Sequence, residues 1–384
     1  MHSIWMFTKW YPNHEDPQLG IFIRKHAEAI ALHNKISVLY IHTSKESLPV
    51  DPIQENQTGK LHEVVVYISK HTGLFGIFIQ PIRYLSALRM GINRLRKIHP
   101  NPTVFHSYIL LRTGIIAFVL SRFYRRPYVI SEQWSGYATG KFNAFASWRK
   151  NIYSFIIRKA DALMTVSHFL ADQMQKNKLL NKSVFVIGNS VELSSIKIKS
   201  KSEKIRVLLV ADLVDEIKNI SGVIQMIASL DPSILSTFEL KIIGAGIDEN
   251  KLKTQAATTS LLNSVIFFEG LKTNKEVYQY LESSDFLLMN SRFETFSSVC
   301  IEALSCGIPV IATDCGGPSE FIRKECGLLI PVDNPSELKK TFLYMLEYHK
   351  RYDPNLLQDF VKNQFSKEVI GTKFQTLYSP FSDS

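Results

Sequence analysis

From residue 205 to residue 332 the chain alternates between fully apolar runs of strand length and segments of helix length, and few architectures tolerate that pattern. The runs are IRVLLVAD (205–212), FELKIIGAG (238–246), VIFFEG (265–270), FLLMNS (286–291), IPVIATD (308–314) and GLLIPV (327–332), with stretches such as ISGVIQMIASL and NKEVYQYLESS between them. A strand that is apolar on both faces must be covered on both faces, which calls for a parallel sheet sandwiched by helices. The first half repeats the theme less tidily. SIWMFTKWY, KISVLYIHT, EVVVYIS, TVFHSY, PYVISEQ, ALMTVS and VFVIGN read as strands, and segments 22–33, 82–98, 113–124, 144–159 and 168–178 as helices, with Pro81 opening the second of these. The polar, Ser- and Lys-rich stretch 188–205 has no core pattern and reads as a linker. The sequence thus predicts two doubly wound α/β domains, 1–190 and 191–365, with a cleft between them and a last helix at about 366–380 packing back on the first.

Composition narrows the function classes. Hydrophobic residues at 45% and charged residues at 21% are globular proportions, not those of a disordered chain. The formal net charge of +10 is unevenly placed. Residues 1–190 carry 24 Lys and Arg against 10 Asp and Glu, a net +14, whereas residues 191–384 carry 21 against 25, a net −4. Cys300, Cys306, Cys315 and Cys326 show neither CxxC spacing nor a following His at zinc-finger spacing, so buried free thiols are expected and a metal site is not. The opening MHSIWMFTKW lacks the basic start and long apolar core of a signal peptide, and runs such as LFGIFI are too short to span a bilayer. A cytoplasmic chain, peripheral at most on the inner face of the membrane, is the expectation.

Common nucleotide and hydrolase signatures are absent: no Walker A pattern, no HExxH and no GxSxG. A dinucleotide fingerprint is only partial, since Gly244 and Gly246 follow the strand FELKII but Glu249 stands where the third glycine belongs, and a tight strand-to-helix turn is the simpler reading. The informative stretch is FLLMNSRFETFSSVCIEALSCGIPVIATDCGGPSEFIRKECGLLIP (286–331), which reads as strand, loop, helix, strand, Gly-rich turn and helix. Its first helix begins near Ser297 or Ser298 and ends before Gly307, so its N-terminal amides and positive dipole end suit an anion such as phosphate. Glu302 falls about one turn into that helix, where a carboxylate can accept from sugar hydroxyls, and Glu294 lies in the preceding loop. Two carboxylates eight apart mean little alone, since Glu55 and Glu63 share the spacing without the strand–loop–helix setting.

With that setting, ETFSSVCIE (Glu294 to Glu302) resembles the donor-site signature of glycosyltransferase family 4, the group 1 enzymes of GT-B fold. The likeness extends along the chain. YPNHEDPQLGIFIRKHAEAIA resembles the family's opening loop, TVFHSY the segment bearing a catalytic-site His, ADALMTVSHFL and VFVIGNSVE the end of the first domain, and VLLVADLVDEIKNI the first strand and turn of the second. The resemblance implies two Rossmann-like domains and transfer, with retention of anomeric configuration, from a nucleotide-diphosphate sugar to an acceptor hydroxyl. It implies no metal and no cofactor. It places Lys218 on the diphosphate, Gly20 where backbone approaches the diphosphate, and His106 and Glu294 near the reacting sugar. The backbone of Phe296 and Ser297 would face the donor sugar, the amides of Ser298 and Val299 the phosphates, and Glu302 the ribose hydroxyls.

Residue types keep other readings open. His106 in an apolar strand is equally well a satisfied core histidine, Lys218 a surface turn lysine, and Gly20, Gly316 and Gly317 turn glycines. Two departures from the family pattern stand out. Asp212 occupies a place that the family usually gives to Arg, opposing diphosphate binding unless Arg292 or Arg24 compensates. In SEQWSGY, related enzymes carry an acid followed by His, whereas this chain has Glu132 and Gln133; Glu132 is a weak candidate for acceptor contact.

Segments IRYLSALRMGINRLRKI and FNAFASWRKNIYSFIIRKA combine apolar residues at helical spacing with Arg and Lys. Either packs on its own sheet with a solvated basic face or lies against an anionic membrane surface. No motif supports nucleic-acid binding. The expected partners are a nucleotide-diphosphate sugar and a glycan or lipid-linked acceptor in surface polysaccharide synthesis. A nucleotide-sugar epimerase and a non-catalytic sugar-nucleotide-binding module are the alternatives.

Overall fold

The computed structural model describes residues 1–44, 48–70, 76–194, 196 and 202–381, without the side chains of Ile77 and Leu111. The chain divides into two compact units, Met1–Ser190 with Lys367–Ser384, and Val191–Ser366. Part of the linker predicted at 188–205 lies outside the described residues.

The first unit holds β1 (Ser3–Thr8), β2 (Lys35–Ser44), β3 (Ile53–Thr58), β4 (Leu61–Ser69), β5 (Val104–Tyr108), β6 (Tyr128–Glu132), β7 (Ala162–Thr165) and β8 (Val184–Val186). They form one sheet in the order β3-β4-β2-β1-β5-β6-β7-β8. All neighbours are parallel except β3, which runs antiparallel to β4. The edge strand β3, IQENQT, escaped the sequence reading because it is almost wholly exposed and carries no apolar pattern. The helix expected to begin after Pro81 spans Gly76–Ile98 with Pro81 inside it. Pro81 is the sixth residue of this helix, past the first turn whose amides have no helical partner, so the helix gives up one i→i−4 bond there.

The second unit holds β9 (Ile205–Val210), β10 (Phe238–Ile243), β11 (Ile266–Gly270), β12 (Phe286–Met289), β13 (Val310–Thr313) and β14 (Gly327–Ile330), matching the six apolar runs. The order is β11-β10-β9-β12-β13-β14, all parallel. In both sheets the strand order reverses beside the first strand, between β1 and β5 and between β9 and β12. A doubly wound sheet leaves an opening above the carboxyl ends of its strands at that point.

Each unit has its own core. Phe238, Phe286 and Phe342 are fully buried in the second, with ring centroids 5.1 and 5.8 Å from Phe342. The first is closed by the helix Lys367–Tyr378, which packs on the helix Ile21–Ala31. Gly371 allows this contact, since a Cβ there would lie 2.6 Å from the Ala29 carbonyl oxygen. Ile370, Phe374, Leu377 and Tyr378 are fully buried, each contributing about 1.5–3 kcal/mol by apolar burial. All four cysteines are buried and free. Among the described residues no helix is long and apolar enough to cross a membrane.

Candidate donor site at the carboxyl edge of the second sheet

The loop after β12 is built by short-range bonds. Asn290 donates from Nδ2 to the Asn219 carbonyl at 3.0 Å, and Thr313 Oγ1 donates to the Ser291 carbonyl at 2.5 Å. Arg292 reaches Asp333 Oδ1 at 2.7 Å, Asn219 Oδ1 at 3.0 Å and the carbonyls of Asp215 and Glu216 at 3.0 and 3.1 Å. It therefore ties this loop to the 215–219 turn that follows β9. Further on, the Gly317 amide donates to the Glu294 carbonyl at 2.9 Å. A Cβ at Gly317 would come within 2.4 Å of Phe296 Cα, so only glycine lets the Gly-rich turn lie against the loop.

This framework brings Lys218 and Glu294 together. Lys218 Nζ lies 2.5 Å from Glu294 Oε1, and the Ser291 hydroxyl donates to the same oxygen at 2.9 Å. Burial works against the Lys218 charge, but Glu294 and then Asp212 outweigh it, and the ammonium is held above the ordinary lysine value. Asp212 is itself exposed at the end of β9. Its departure from the family pattern thus bears on Lys218: it supports the ammonium that an incoming anion would meet. Neither candidate for compensation is available, because Arg292 is spent on the loop and Arg24, in the first unit, pairs with Glu63 at 3.0 Å.

The helix Ser298–Ser305 starts directly after this pair. Ser297 precedes it in the left-handed region, φ 71°, and makes no side-chain cap. Its hydroxyl instead turns inward to Met289 Sδ and Cys300 Sγ, both at 3.2 Å. The Phe296 ring is buried against Phe321 and Phe365, at 5.2 and 5.6 Å. With both side chains committed to the interior, backbone is what residues 296–297 can offer a ligand. Ser298 and Val299 form the first turn, whose amides and dipole end favour an anion. Glu302 follows one turn on; burial first and Glu302 second hold the proton on the Tyr278 hydroxyl. Cys300 and Cys315 sit below, their thiols kept protonated chiefly by burial, Cys315 at about 12.

Lys218, Glu294, Phe296, Ser297, Ser298, Val299 and Glu302 therefore gather at one end of the second sheet. Asn290 and Ser291, which help position the pair, were not singled out from sequence, and Arg292 was weighed only as a charge compensating Asp212; the signal of all three was an uninterrupted polar triplet closing an apolar strand. The GAG turn is packing, as a Cβ at Gly244 would strike the Ala211 carbonyl oxygen at 1.9 Å and one at Gly246 the Leu213 oxygen at 2.4 Å.

The other three candidates belong to the first unit, and two need correction. His106 is fully buried, with Nδ1 2.6 Å from the Tyr378 hydroxyl and Nε2 2.6 Å from the Ser131 hydroxyl. Burial, with His26 nearby, lowers its pKa to about 3. It is a neutral core histidine with no nitrogen left for a substrate. Glu132 is also buried; its Oε1 accepts from the Leu110 amide at 2.7 Å and the Tyr137 hydroxyl at 3.0 Å. It anchors the start of the helix Leu110–Tyr124 and presents no face to an acceptor. Gly20 caps the helix Ile21–Ala31 at φ 65°, and a Cβ there would meet the Trp10 backbone at 2.7 Å.

A family model described as "Glycosyl transferases group 1" matches residues 190–365, and one described as "Glycosyltransferase Family 4" matches residues 49–195. An uncharacterised glycosyltransferase of Methanocaldococcus jannaschii is 25% identical over 341 residues, 88% of this chain and 90% of its own. The N-acetylgalactosamine-N,N'-diacetylbacillosaminyl-diphospho-undecaprenol 4-alpha-N-acetylgalactosaminyltransferase of Campylobacter jejuni is 29% identical over 220 residues, 56% of this chain and 58% of its own. Among solved structures, Anabaena HepE in complex with UDP and glucose superposes with a TM-score of 0.72 at 14% identity, covering 99% of this chain and 100% of that one.

Proposed function

Since the chain belongs to the group 1 glycosyltransferases of family 4 and has their GT-B fold, we propose that it transfers a sugar, with retention, from a nucleotide-diphosphate donor to a glycan or lipid-linked acceptor. The observation that carries this is the Lys218–Glu294 pair beside the N-terminus of the helix Ser298–Ser305, at the strand-order reversal of the second sheet.

Charge grows on the diphosphate as its bond to the anomeric carbon breaks, and fixed positive groups aimed there lower the barrier. Lys218 has three N–H donors, so it can keep Glu294 and still meet a phosphate oxygen. The first-turn amides at Ser298 and Val299 add to it, and the reading needs no metal. Glu294, already oriented by Ser291, would accept from sugar hydroxyls, and Glu302 from the ribose. The acceptor oxygen bonds the anomeric carbon on the face the diphosphate leaves, and its proton passes to the departing phosphate oxygen. The Campylobacter relative, named for transfer to a diphospho-undecaprenol-linked sugar, and a Bacillus subtilis relative named for teichuronic acid biosynthesis support a surface polysaccharide or lipid-linked glycan as the product.

Replacing Lys218 by Ala should cut donor-dependent transfer by roughly 10²–10³-fold, the usual loss for one transition-state donor. Glu302→Ala should raise the donor KM. Melting curves should show both variants folded. Full activity in both would sink the site. Nucleoside diphosphate release that needs an added acceptor separates transfer from epimerisation, and a donor protected against melting but never consumed would indicate a binding module.

A further inference from the structure

The first unit contains a cavity of about 810 Å³ that the donor chemistry does not use. It opens above the carboxyl ends of β1 and β2, beside the strand-order reversal between β1 and β5, the place where a doubly wound sheet receives a ligand. Thr8, Lys9 and Trp10 enter it from the end of β1, Arg112 and Ile115 from the helix Leu110–Tyr124, and Trp148, Arg149 and Ile152 from the helix Ser147–Lys159.

Three cations, Lys9, Arg112 and Arg149, converge here, and no carboxylate among the described residues comes within ion-pair distance of them; the buried Glu132 acts on Lys9 only from beneath. Aromatic faces hold them instead: Lys9 lies 5.0 Å from the Trp10 ring, Arg112 5.1 Å from Tyr84, and Arg149 3.8 Å from Phe145. Arg149 also donates to the Tyr153 hydroxyl at 3.0 Å. They act on one another: burial lowers the Lys9 pKa, Glu132 beneath pulls the other way, and Arg112 and Arg149 lower it further. Like charges gathered in a concavity at a mutual cost are relieved by an anion.

The rim has a second character. Ile115, Trp148 and Ile152 line the cavity and are still exposed, by 44, 67 and 38%. Val119 and Phe123 continue the Ile115 stripe at one-turn intervals, and Phe155 continues that of Trp148 and Ile152; all three are exposed, Phe123 by 74%. The two helices are neighbours, with the rings of Phe118 and Phe155 5.6 Å apart. An apolar patch continuous with a cationic pocket fits a molecule that is an anion at one end and a hydrocarbon at the other.

We propose that this cavity binds a phosphate- or diphosphate-bearing lipid, with Lys9, Arg112 and Arg149 on the anion and Ile115, Trp148 and Ile152 along the first part of the chain. Naming that lipid as the glycosyl acceptor rests on the transferase reading; the binding site itself does not.

Calorimetry on the full chain with farnesyl diphosphate, inorganic diphosphate and farnesol tests it. Farnesyl diphosphate should bind roughly tenfold or more tighter than either fragment, and Lys9→Gln and Arg112→Gln should each weaken it about tenfold or more, the worth of one charge-assisted contact. Trp148→Ala should weaken farnesyl diphosphate while leaving inorganic diphosphate unchanged. Lys218→Ala should leave the amphiphile's affinity as it is, and the Lys9 and Arg112 variants should still be protected against melting by nucleotide sugar. Wild-type affinity in both cation variants overturns the proposal, and so does loss of the amphiphile in Lys218→Ala, which would place the probe in the second unit. Equal binding of inorganic and farnesyl diphosphate overturns the lipid half and leaves a soluble phosphate. Amphiphile binding intact with no nucleotide-sugar protection would sink the donor reading alone.

Discussion

Glu132, offered from sequence as a weak candidate for acceptor contact, has a task inside the fold instead. An acid at the end of an apolar strand is uncommon, and the reason here is backbone: the Leu110 amide at the start of a helix needs an acceptor, and Glu132 supplies it. Burial raises its pKa to about 7 despite that bond and those from Tyr137 and the neighbouring backbone. The folded state therefore binds a proton that the unfolded chain releases above the ordinary glutamate value of 4.5. This group's contribution to stability is greatest below that value and falls as pH rises toward 7 and beyond. Glu132→Gln keeps the oxygen that accepts both bonds and removes the titration. Urea unfolding should show the wild type losing stability relative to Glu132→Gln between pH 5 and 8, by up to about 3 kcal/mol. A pH-independent difference would refute the buried titration. His26 and His106 tilt the other way, since burial lowers them to about 4 and 3 and acid favours their unfolded state; comparing variants at each pH cancels that background.

At the scale of elements, legibility follows chemistry that is local in sequence. The six strands of the second unit could be read because each is a predominantly apolar run set off by a helix-length segment or a turn, and the donor loop because strand, loop and helix follow one another between 286 and 305. The exposed strand β3 was invisible because nothing in IQENQT signals pairing, and the partners of His106 because Tyr378 lies 272 residues away. The inward turn of Ser297 was hidden too, since a serine before a helix ordinarily caps it. The helix Lys367–Tyr378 offers the sharpest check on element-level packing. Tyr378→Phe preserves the ring but leaves His106 Nδ1 without its partner, which should cost about 1–3 kcal/mol. The loss should appear in the unfolding of the first unit while nucleotide-sugar protection of the second persists; an unchanged midpoint would mean that the bond carries no weight.

Across the whole molecule the charge division acquires a location. The first half's net +14 includes Lys9, Arg112 and Arg149 at the cavity, together with Arg122, Lys150, Arg158 and Lys159 on the two helices whose apolar stripes lie open. Such a face should favour anionic over neutral lipid. In sedimentation with vesicles, the bound fraction should rise with anionic lipid and fall steeply between 50 and 500 mM salt, concentrations chosen to shorten the screening length to roughly a few ångström; equal binding to neutral vesicles would remove the electrostatic part. The closing helix has a consequence for how the chain is made. The second unit is complete once Ser366 has been synthesised, but the first, begun at Met1, must wait for Phe374 and Tyr378 to emerge before its core can close. Synthesis thus completes the second unit before the first, and a chain stopped between Ser366 and Phe374 would carry a finished second unit tethered to a first whose hydrophobic interior lies open.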